Sequence, residues 1–250
     1  MNIPWRRIKP GWYLLVFLLL YSILMTTLLA RSNRMLREAR TLPTEITQVE
    51  VLPEPDELEN EAAPEGLWFP ITGAELPQDP SFLPNARRAY RQGVSQGFDF
   101  YGEDAGIPIP YGTPVIAAAD AAVTRLDSDY RELEPEAWRT LLAEVARSGA
   151  EEEQLDRLRG RQVWLRTDDD ITLRYGHLSS LAEGLNVGDR VYRGQVIGYV
   201  GNSGTDDGVA GSTRGARLHF EVWQPDGTFV GDGLDEEAVR AAAGSLFVGP

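Results

Sequence analysis

From Thr113 to Trp223 the sequence consists of short β-prone runs separated by glycine and proline, and this pattern limits the fold more than any other feature. Apolar and polar residues alternate within several runs, as at Val163 and Leu165, so that one face of each strand can enter a core. Glycine and proline between the runs favour turns. The pattern predicts a mainly β domain that starts near Leu67. The predicted strands cover residues 113–117, 122–126, 162–167, 171–175, 190–192, 195–200 and 218–223.

Residues 131–161 interrupt the β pattern with a predicted helical insertion. Pro135 occupies a first-turn position, and Gly149 provides a C-terminal stop. The apolar residues between them recur at helical spacing, which predicts a stripe that packs on the domain. They are Trp138, Leu141, Leu142 and Val145. A second short helix is predicted over residues 151–158.

A weak internal repeat is present within the β region. Gly112-Thr113-Pro114-Val115 precedes one apolar run, and Gly188-Asp189-Arg190-Val191 precedes another. In each copy a turn glycine stands three residues before the first apolar residue of the run. This arrangement predicts that each copy is a strand that folds back on itself.

The N-terminal part of the chain is predicted to be a membrane anchor. Residues 11–30 contain no charged side chain, and a helix of this length, at ~1.5 Å per residue, spans the hydrocarbon layer. A transmembrane helix is therefore predicted there, after a short N-terminal segment, residues 1–10. A cleaved signal peptide is the alternative, because Arg6, Arg7 and Lys9 precede the apolar run.

The rest of the chain divides by composition. Residues 31–66 are predicted to form a juxtamembrane helix followed by an acidic, proline-rich linker, which lacks the apolar content for a core. The folded domain is placed at residues 67–232. The C-terminal segment, residues 233–250, is predicted to contain a helix over residues 235–243.

Charge and residue content exclude several classes of function. The net charge of −14 argues against nucleic-acid binding, because phosphates select basic surfaces. The absence of cysteine excludes disulfides, thiolate zinc sites and cysteine nucleophiles. The two histidines, His177 and His219, are therefore the main candidates for chemistry.

Six groups of short motifs occur in a fixed order between Trp68 and Trp223. They are Gly97-Phe98-Asp99; Gly112-Thr113-Pro114-Val115 with Ala118-Ala119-Asp120; Tyr175-Gly176-His177-Leu178-Ser179; Val187-Gly188-Asp189 with Gly194-Gln195; Gly201-Asn202-Ser203-Gly204; and Leu218-His219-Phe220-Glu221. In this order the region resembles the LytM or lysostaphin-type endopeptidases, zinc enzymes that cut peptide cross-bridges in bacterial cell walls. The resemblance implies an antiparallel β-sandwich or barrel-like domain with a duplicated hybrid motif. It also implies Zn²⁺ as the family cofactor, peptidoglycan peptides as ligands and an extracytoplasmic position for the domain.

The resemblance assigns roles to three residues and shows two departures. Asp99 and His219 match metal ligands of the family, and His177 matches a catalytic histidine. Ser95 stands where the family has a further ligand histidine, and Arg217 stands where it has a second catalytic histidine. A guanidinium stays protonated, so Arg217 cannot act as a base and repels a dication. Two ligands alone leave a zinc site incomplete.

Three hypotheses follow from these departures. In the first, Arg217 pairs with Asp99 in the zinc position, and a non-catalytic groove holds wall peptides or a partner cell-wall hydrolase. In the second, the domain is an active zinc peptidase in which another acid replaces the missing ligand. The candidate acids are Glu103, Asp104, Asp206 and Asp207. In the third, the chain is a lipoyl-like envelope adaptor whose groove is closed by side chains. Independently of these hypotheses, hydrogen bonds to neighbours alone can hold His177 and His219 in a degenerate member of the family.

Overall fold

The computed structural model describes residues 66–248 together with Met25. Residues 66–248 form mainly strands, with a few helices. The strands are β1 (Arg87–Arg88), β2 (Gly93–Val94), β3 (Phe98–Tyr101), β4 (Pro114–Ile116), β5 (Ala121–Leu126), β6 (Val163–Arg166), β7 (Thr172–Gly176), β8 (Leu178–Leu181), β9 (Arg190–Val191), β10 (Val196–Val200) and β11 (Arg217–Trp223). The helices are α1 (Pro135–Ser148), α2 (Glu152–Arg159), α3 (Asp206–Val209) and α4 (Glu236–Leu246), with 3₁₀ turns at Pro80–Phe82 and Ala89–Arg91.

Two sheets dominate the described residues. The larger has six strands in the order β3-β11-β7-β6-β5-β9, and the smaller has three in the order β4-β10-β8. Strands β1 and β2 form a separate hairpin. Every neighbouring pair is antiparallel. The mainly β, antiparallel fold predicted from the sequence is confirmed.

Both sheets contribute to one hydrophobic cluster. Leu218, Phe220 and Val222 of β11 enter it from the larger sheet, and Ile197 and Val200 of β10 enter it from the smaller sheet. All five are almost fully buried, and each such side chain stabilises the fold by about 1.5–3 kcal/mol. Because side chains alternate along a strand, the residues between those of β11 point to the opposite face.

The internal repeat is built by pairing between the copies. Strand β4 of the first copy pairs with β10 of the second, and β5 of the first pairs with β9 of the second. The turn glycines make equivalent contacts, because Gly112 N donates to Val200 O and Gly188 N donates to Val123 O, both at 2.8 Å. The prediction that each copy folds back on itself is therefore wrong. Each copy supplies strands that complete the other.

The predicted helical insertion is present as α1 and α2. Its apolar stripe packs into a second cluster that contains Trp138, Leu141 and Val145 of α1, Leu158 of α2 and Val209 of α3. Gln92, in the turn of the β1–β2 hairpin, donates from Nε2 to Ala146 O at 2.6 Å. This contact ties the hairpin to α1, so the insertion is attached to the domain at the side of the candidate site.

The predictions for the two ends of the chain have different outcomes. Among the residues that the structure describes, no helix is long and apolar enough to cross a membrane. The predicted membrane helix, residues 11–30, lies outside them except for Met25, and the predicted linker lies outside them except for Gly66. At the C-terminal end, α4 confirms the predicted helix and extends it to Leu246.

Candidate functional site

Strand β11 sets the geometry of the site, because strands on both sides fix its register. His219 lies opposite Asp99 of β3 and opposite Gly176 of β7. Arg217, His219 and Glu221 lie on one face, two residues apart, while the residues between them enter the core. The register alone thus brings Asp99 beside His219.

Asp99 is buried among cations. Its Oδ2 accepts a hydrogen bond from Arg88 Nη2 at 2.7 Å, and its Oδ1 accepts one from His219 Nδ1 at 2.8 Å. Arg217 Nε lies farther away, 3.8 Å from Oδ1. Burial opposes ionisation, but His219, Arg217 and Arg88 together hold the pKa of Asp99 well below its ordinary value. The predicted ion pair with Arg217 is present only at this longer distance, and Arg88 makes the close ion pair.

His219 uses both ring nitrogens to contact carboxylates. Nδ1 lies 2.8 Å from Asp99 Oδ1, and Nε2 lies 3.1 Å from Glu221 Oε1. Because ionised carboxylates only accept hydrogen bonds, His219 donates from both nitrogens as an imidazolium. Burial disfavours this charge, but Asp99 and Glu221 outweigh burial and raise the pKa of His219. In this state the ring has no lone pair to offer to a metal.

His177 is held in the neutral form. Its Nδ1 lies 2.7 Å from Ser203 O, and its Nε2 lies 3.0 Å from Arg217 Nη2. The carbonyl can only accept, so Nδ1 donates and Nε2 accepts from the guanidinium. Burial and then Arg217 lower the pKa of His177 well below 6.5. The lone pair that a general base needs is therefore already engaged.

Glu221 organises a second group of charges beside His219. Its Oε1 accepts from Arg159 Nε at 2.6 Å, and its Oε2 accepts from Trp223 Nε1 at 2.6 Å. Arg159 Nη2 also donates to Gln96 Oε1 at 2.6 Å. Burial opposes the charge of Glu221, but His219 and Arg159 keep the pKa of this carboxyl well below its ordinary value. The carboxylate is therefore ionised and fully engaged.

The sequence assigned no role to three groups of this site, namely Arg88, Arg159 and Glu221, although Glu221 belongs to one of the ordered motifs. Glu221 could have been found from the alternation of β11, since it follows His219 by two residues. Arg88 lies on a two-residue strand, and Arg159 is the last residue of α2. Neither position carries a local pattern that points to the site.

The side chains do not fit a zinc ion. Zinc takes three or four ligands from nitrogen, sulfur and carboxylate oxygen, and Asp99 and His219 supply two groups that are engaged with each other. Ser95 Oγ accepts from Arg88 Nη2 at 3.1 Å. Within residues 66–248 no group of three or more histidine, cysteine or acidic side chains is placed to hold a metal. Arg88 also brings a fixed positive charge to Asp99.

The four acids considered as replacement ligands have other positions or partners. They are Glu103, Asp104, Asp206 and Asp207. Asp206 Oδ1 accepts from Trp138 Nε1 at 2.7 Å, and Asp207 Oδ1 pairs with Arg214 Nη2 at 3.1 Å. Glu103 and Asp104 do not line the cavity above the site. The described contacts therefore place none of the four in a metal site with Asp99 and His219.

A cavity of about 510 Å³ lies above these charges. Asp99, His177, Arg217, His219 and Glu221 line its polar floor. The helical insertion supplies an apolar wall, with contributions from Trp138, Leu142, Ala146, Leu155 and Leu158. Ligand pockets have volumes of roughly 300–1,000 Å³. The groove is thus not closed by side chains, and the adaptor hypothesis is wrong on this point.

A comparison with protein families gives a match over part of the domain. Residues 143–232 match the model of peptidase family M23. Over this segment the chain is similar to the M23 peptidase family. The resemblance to LytM or lysostaphin-type peptidases, inferred from the ordered motifs, is confirmed over this segment, which includes His177, Arg217, His219 and Glu221.

Solved structures show a partial likeness to this chain. A zinc-containing peptidase from Vibrio cholerae is 21% identical with a TM-score of 0.40, over 63% of this chain and 36% of that one. Csd3 from Helicobacter pylori is 20% identical with a TM-score of 0.34, over 63% and 30%. The catalytic domain of lysostaphin from Staphylococcus simulans is 22% identical with a TM-score of 0.35, over 57% and 75%. The alignments span about a third of the length of the first two proteins. No curated protein sequence matches the chain.

Proposed function

We propose that this protein is a single-pass membrane protein whose extracytoplasmic M23 domain acts in cell-wall remodelling without cleaving peptide bonds. Its groove binds peptidoglycan peptides, and a peptide held there is withheld from, or presented to, a partner cell-wall hydrolase. The anchor and the location rest on the apolar residues 11–30 and on the nature of the ligand.

One observation carries the non-catalytic part of the proposal. Arg88 Nη2 lies 2.7 Å from Asp99 Oδ2, and His219 occupies the other oxygen of the same carboxylate. A carboxylate already neutralised by two cations has little attraction for a dication, and its approach would be opposed by both charges. His177 adds to the argument, because the lone pair of its Nε2 accepts from Arg217.

The peptide-binding part of the proposal rests on the cavity. Its floor is polar and charged, and one wall is apolar. This combination suits a peptide, whose backbone and side chains offer both polar and apolar groups. The volume of about 510 Å³ accommodates a short segment.

Sedimentation with purified cell walls tests this function. The full 250-residue chain is incubated with wall sacculi, with and without zinc, and both the bound protein and the released soluble fragments are measured. We expect the protein to sediment with the walls and to release no fragments. Zinc-dependent release of fragments would contradict the non-catalytic role, and failure to sediment would contradict wall binding.

Two matched variants on α1 test whether the cavity is the binding site. Ala146 lines the cavity, whereas Ala143 is exposed on the same helix and does not line it. Ala146→Arg should fill the groove and reduce sedimentation, and Ala143→Arg, which adds the same charge and volume, should leave it unchanged. An equal effect of the two variants would show that binding occurs elsewhere.

A further inference from the structure

Arg91 is a buried cation with no carboxylate at ion-pair distance among the residues that the structure describes. It lines the cavity, follows the β1 strand in the hairpin and is 9% exposed. Its Nη2 donates to Val94 O at 2.6 Å, and its Nε is buried without a hydrogen-bond partner. Within residues 66–248 no carboxylate forms an ion pair with it, although each of the other three cavity arginines lies within 4 Å of one.

A charge in this position is costly unless something pairs with it. Removing a guanidinium from water without a partner opposes folding, and arginine does not escape by losing its proton at working pH. Burial lowers the pKa of Arg91, and repulsion by Arg159 and Arg88 lowers it further, while Tyr90 and Glu221 act in the opposite direction without reversing the shift. The arginines around the floor thus repel one another across the cavity.

The acids near the floor do not remove this excess of positive charge. Asp99 is shared by Arg88, Arg217 and His219. Glu221 is likewise shared by arginines and by His219. Asp206 and Asp207, which also line the cavity, are engaged with Trp138 and Arg214, respectively. An anion that enters the cavity would supply the charge that Arg91 lacks.

The apolar wall restricts the kind of anion. Trp138, Leu142 and Leu158 of the insertion face the same cavity as Arg91 and Arg217. A ligand that fills this space needs an apolar side chain beside its negative group. A peptide carboxylate next to a leucine-sized residue supplies both the negative charge and the apolar group, whereas a small inorganic anion supplies only the charge.

We propose that the cavity contains a carboxylate-binding subsite, in which Arg91 and Arg217 hold the carboxylate of a short peptide whose neighbouring apolar side chain packs on the helical insertion. This subsite rests on the proposed peptide-binding function and names the chemistry that the groove selects. The carboxylate belongs either to the end of a peptide or to an acidic side chain.

Three blocked dipeptides test the subsite with the intact chain. They are N-acetyl-Leu-Ala with a free carboxylate, its C-terminal amide, and N-acetyl-Leu-Glu amide, which carries only a side-chain carboxylate. Binding is followed by NMR titration at one pH, with the indole signal of Trp138 as reporter. We expect the first or the third peptide to bind about tenfold or more tightly than the amide, since hydrogen bonds to charged groups are strong. Preference for the first identifies a terminal carboxylate, and preference for the third identifies a side chain. Equal affinity of all three, or no binding, would overturn the subsite.

Variants separate this role from a structural one. Arg91→Met and Arg217→Gln should each lose about tenfold or more in affinity for the preferred peptide, and Arg139→Gln, an exposed arginine of α1 outside the cavity, should lose none. Without ligand, Arg91→Met should melt at the same temperature as the parent or higher, because an unpaired buried charge is removed. Unchanged affinity of Arg91→Met would refute the role of this residue.

The two proposals can fail separately. If the chain binds zinc and cleaves walls but still distinguishes the acid from the amide, the non-catalytic function fails and the subsite stands. If the chain sediments with walls and binds no metal, but treats the three dipeptides alike, the subsite fails and the proposed function stands.

Discussion

Replacing Asp99 by asparagine tests the electrostatic arrangement of the site, because two accounts of Asp99 predict different changes in the unfolding free energy. In this structure Asp99 is 6% exposed, and its carboxylate neutralises Arg88 at 2.7 Å and His219 at 2.8 Å. Asp99→Asn keeps the shape but leaves both cations without their closest counter-charge. Breaking a buried ion pair in this way costs about 3–5 kcal/mol of unfolding free energy.

The measurement is urea unfolding of the metal-free chain at pH 7, followed by tryptophan fluorescence. We expect the midpoint to fall with an unchanged slope, which indicates a loss of stability alone. Asp168→Asn is the control, since Asp168 pairs with Arg190 at 2.7 Å on the exposed surface, where an ion pair contributes little. If Asp99 were instead a metal ligand with no ion bound, removing its charge would leave stability unchanged or raise it, and that result would refute the account.

Three further predictions concern the histidines and the packing around them. Since the chain has two histidines, NMR can follow each ring: His219 should titrate above pH 6.5 and His177 should stay neutral well below it, and the reverse order would contradict the assigned contacts. Because its folded pKa is raised, His219 contributes stability that is complete below pH 6.5 and is lost as pH rises through the raised value. The difference in unfolding free energy between the parent and His219→Gln should therefore become smaller as pH increases. Gly97→Ala should destabilise the domain by about 1–3 kcal/mol or more in urea unfolding, because the added Cβ would lie 2.3 Å from Phe220 O. Unchanged stability would show that the backbone at Gly97 and Phe220 moves apart to accept the methyl group.

The fold was largely readable from local patterns. Short β-prone runs predicted β6, β7 and β11 of the larger sheet, and the spacing of apolar residues predicted α1 within one residue at each end. The two-residue strands β1 and β2 are too short to show a period. The pairing of the two repeat copies was predicted wrongly, because a strand's partner depends on the whole chain rather than on its own sequence.

The candidate site was readable only in part. The resemblance selected Asp99, His177 and His219, and the structure places all three around one cavity. It did not select Arg88, which lies 11 residues before Asp99 and reaches it through the hairpin. Nor did it select Arg159, because the insertion that carries this residue departs from the ordered motifs. Long side chains supplied from separate elements meet only in the folded protein.

Zinc binding to the purified chain tests the central claim most directly, namely that fixed cations occupy the place where related enzymes hold the metal. Titration calorimetry with Zn²⁺ at pH 7 should give no stoichiometric binding to the parent. A variant with Ser95→His, Arg217→His and Arg88→Ala, which returns the missing ligand histidine and the missing catalytic histidine and removes the closest cation, should bind about one zinc per chain. One tightly bound zinc in the parent, with loss of binding in Asp99→Asn, would contradict the account.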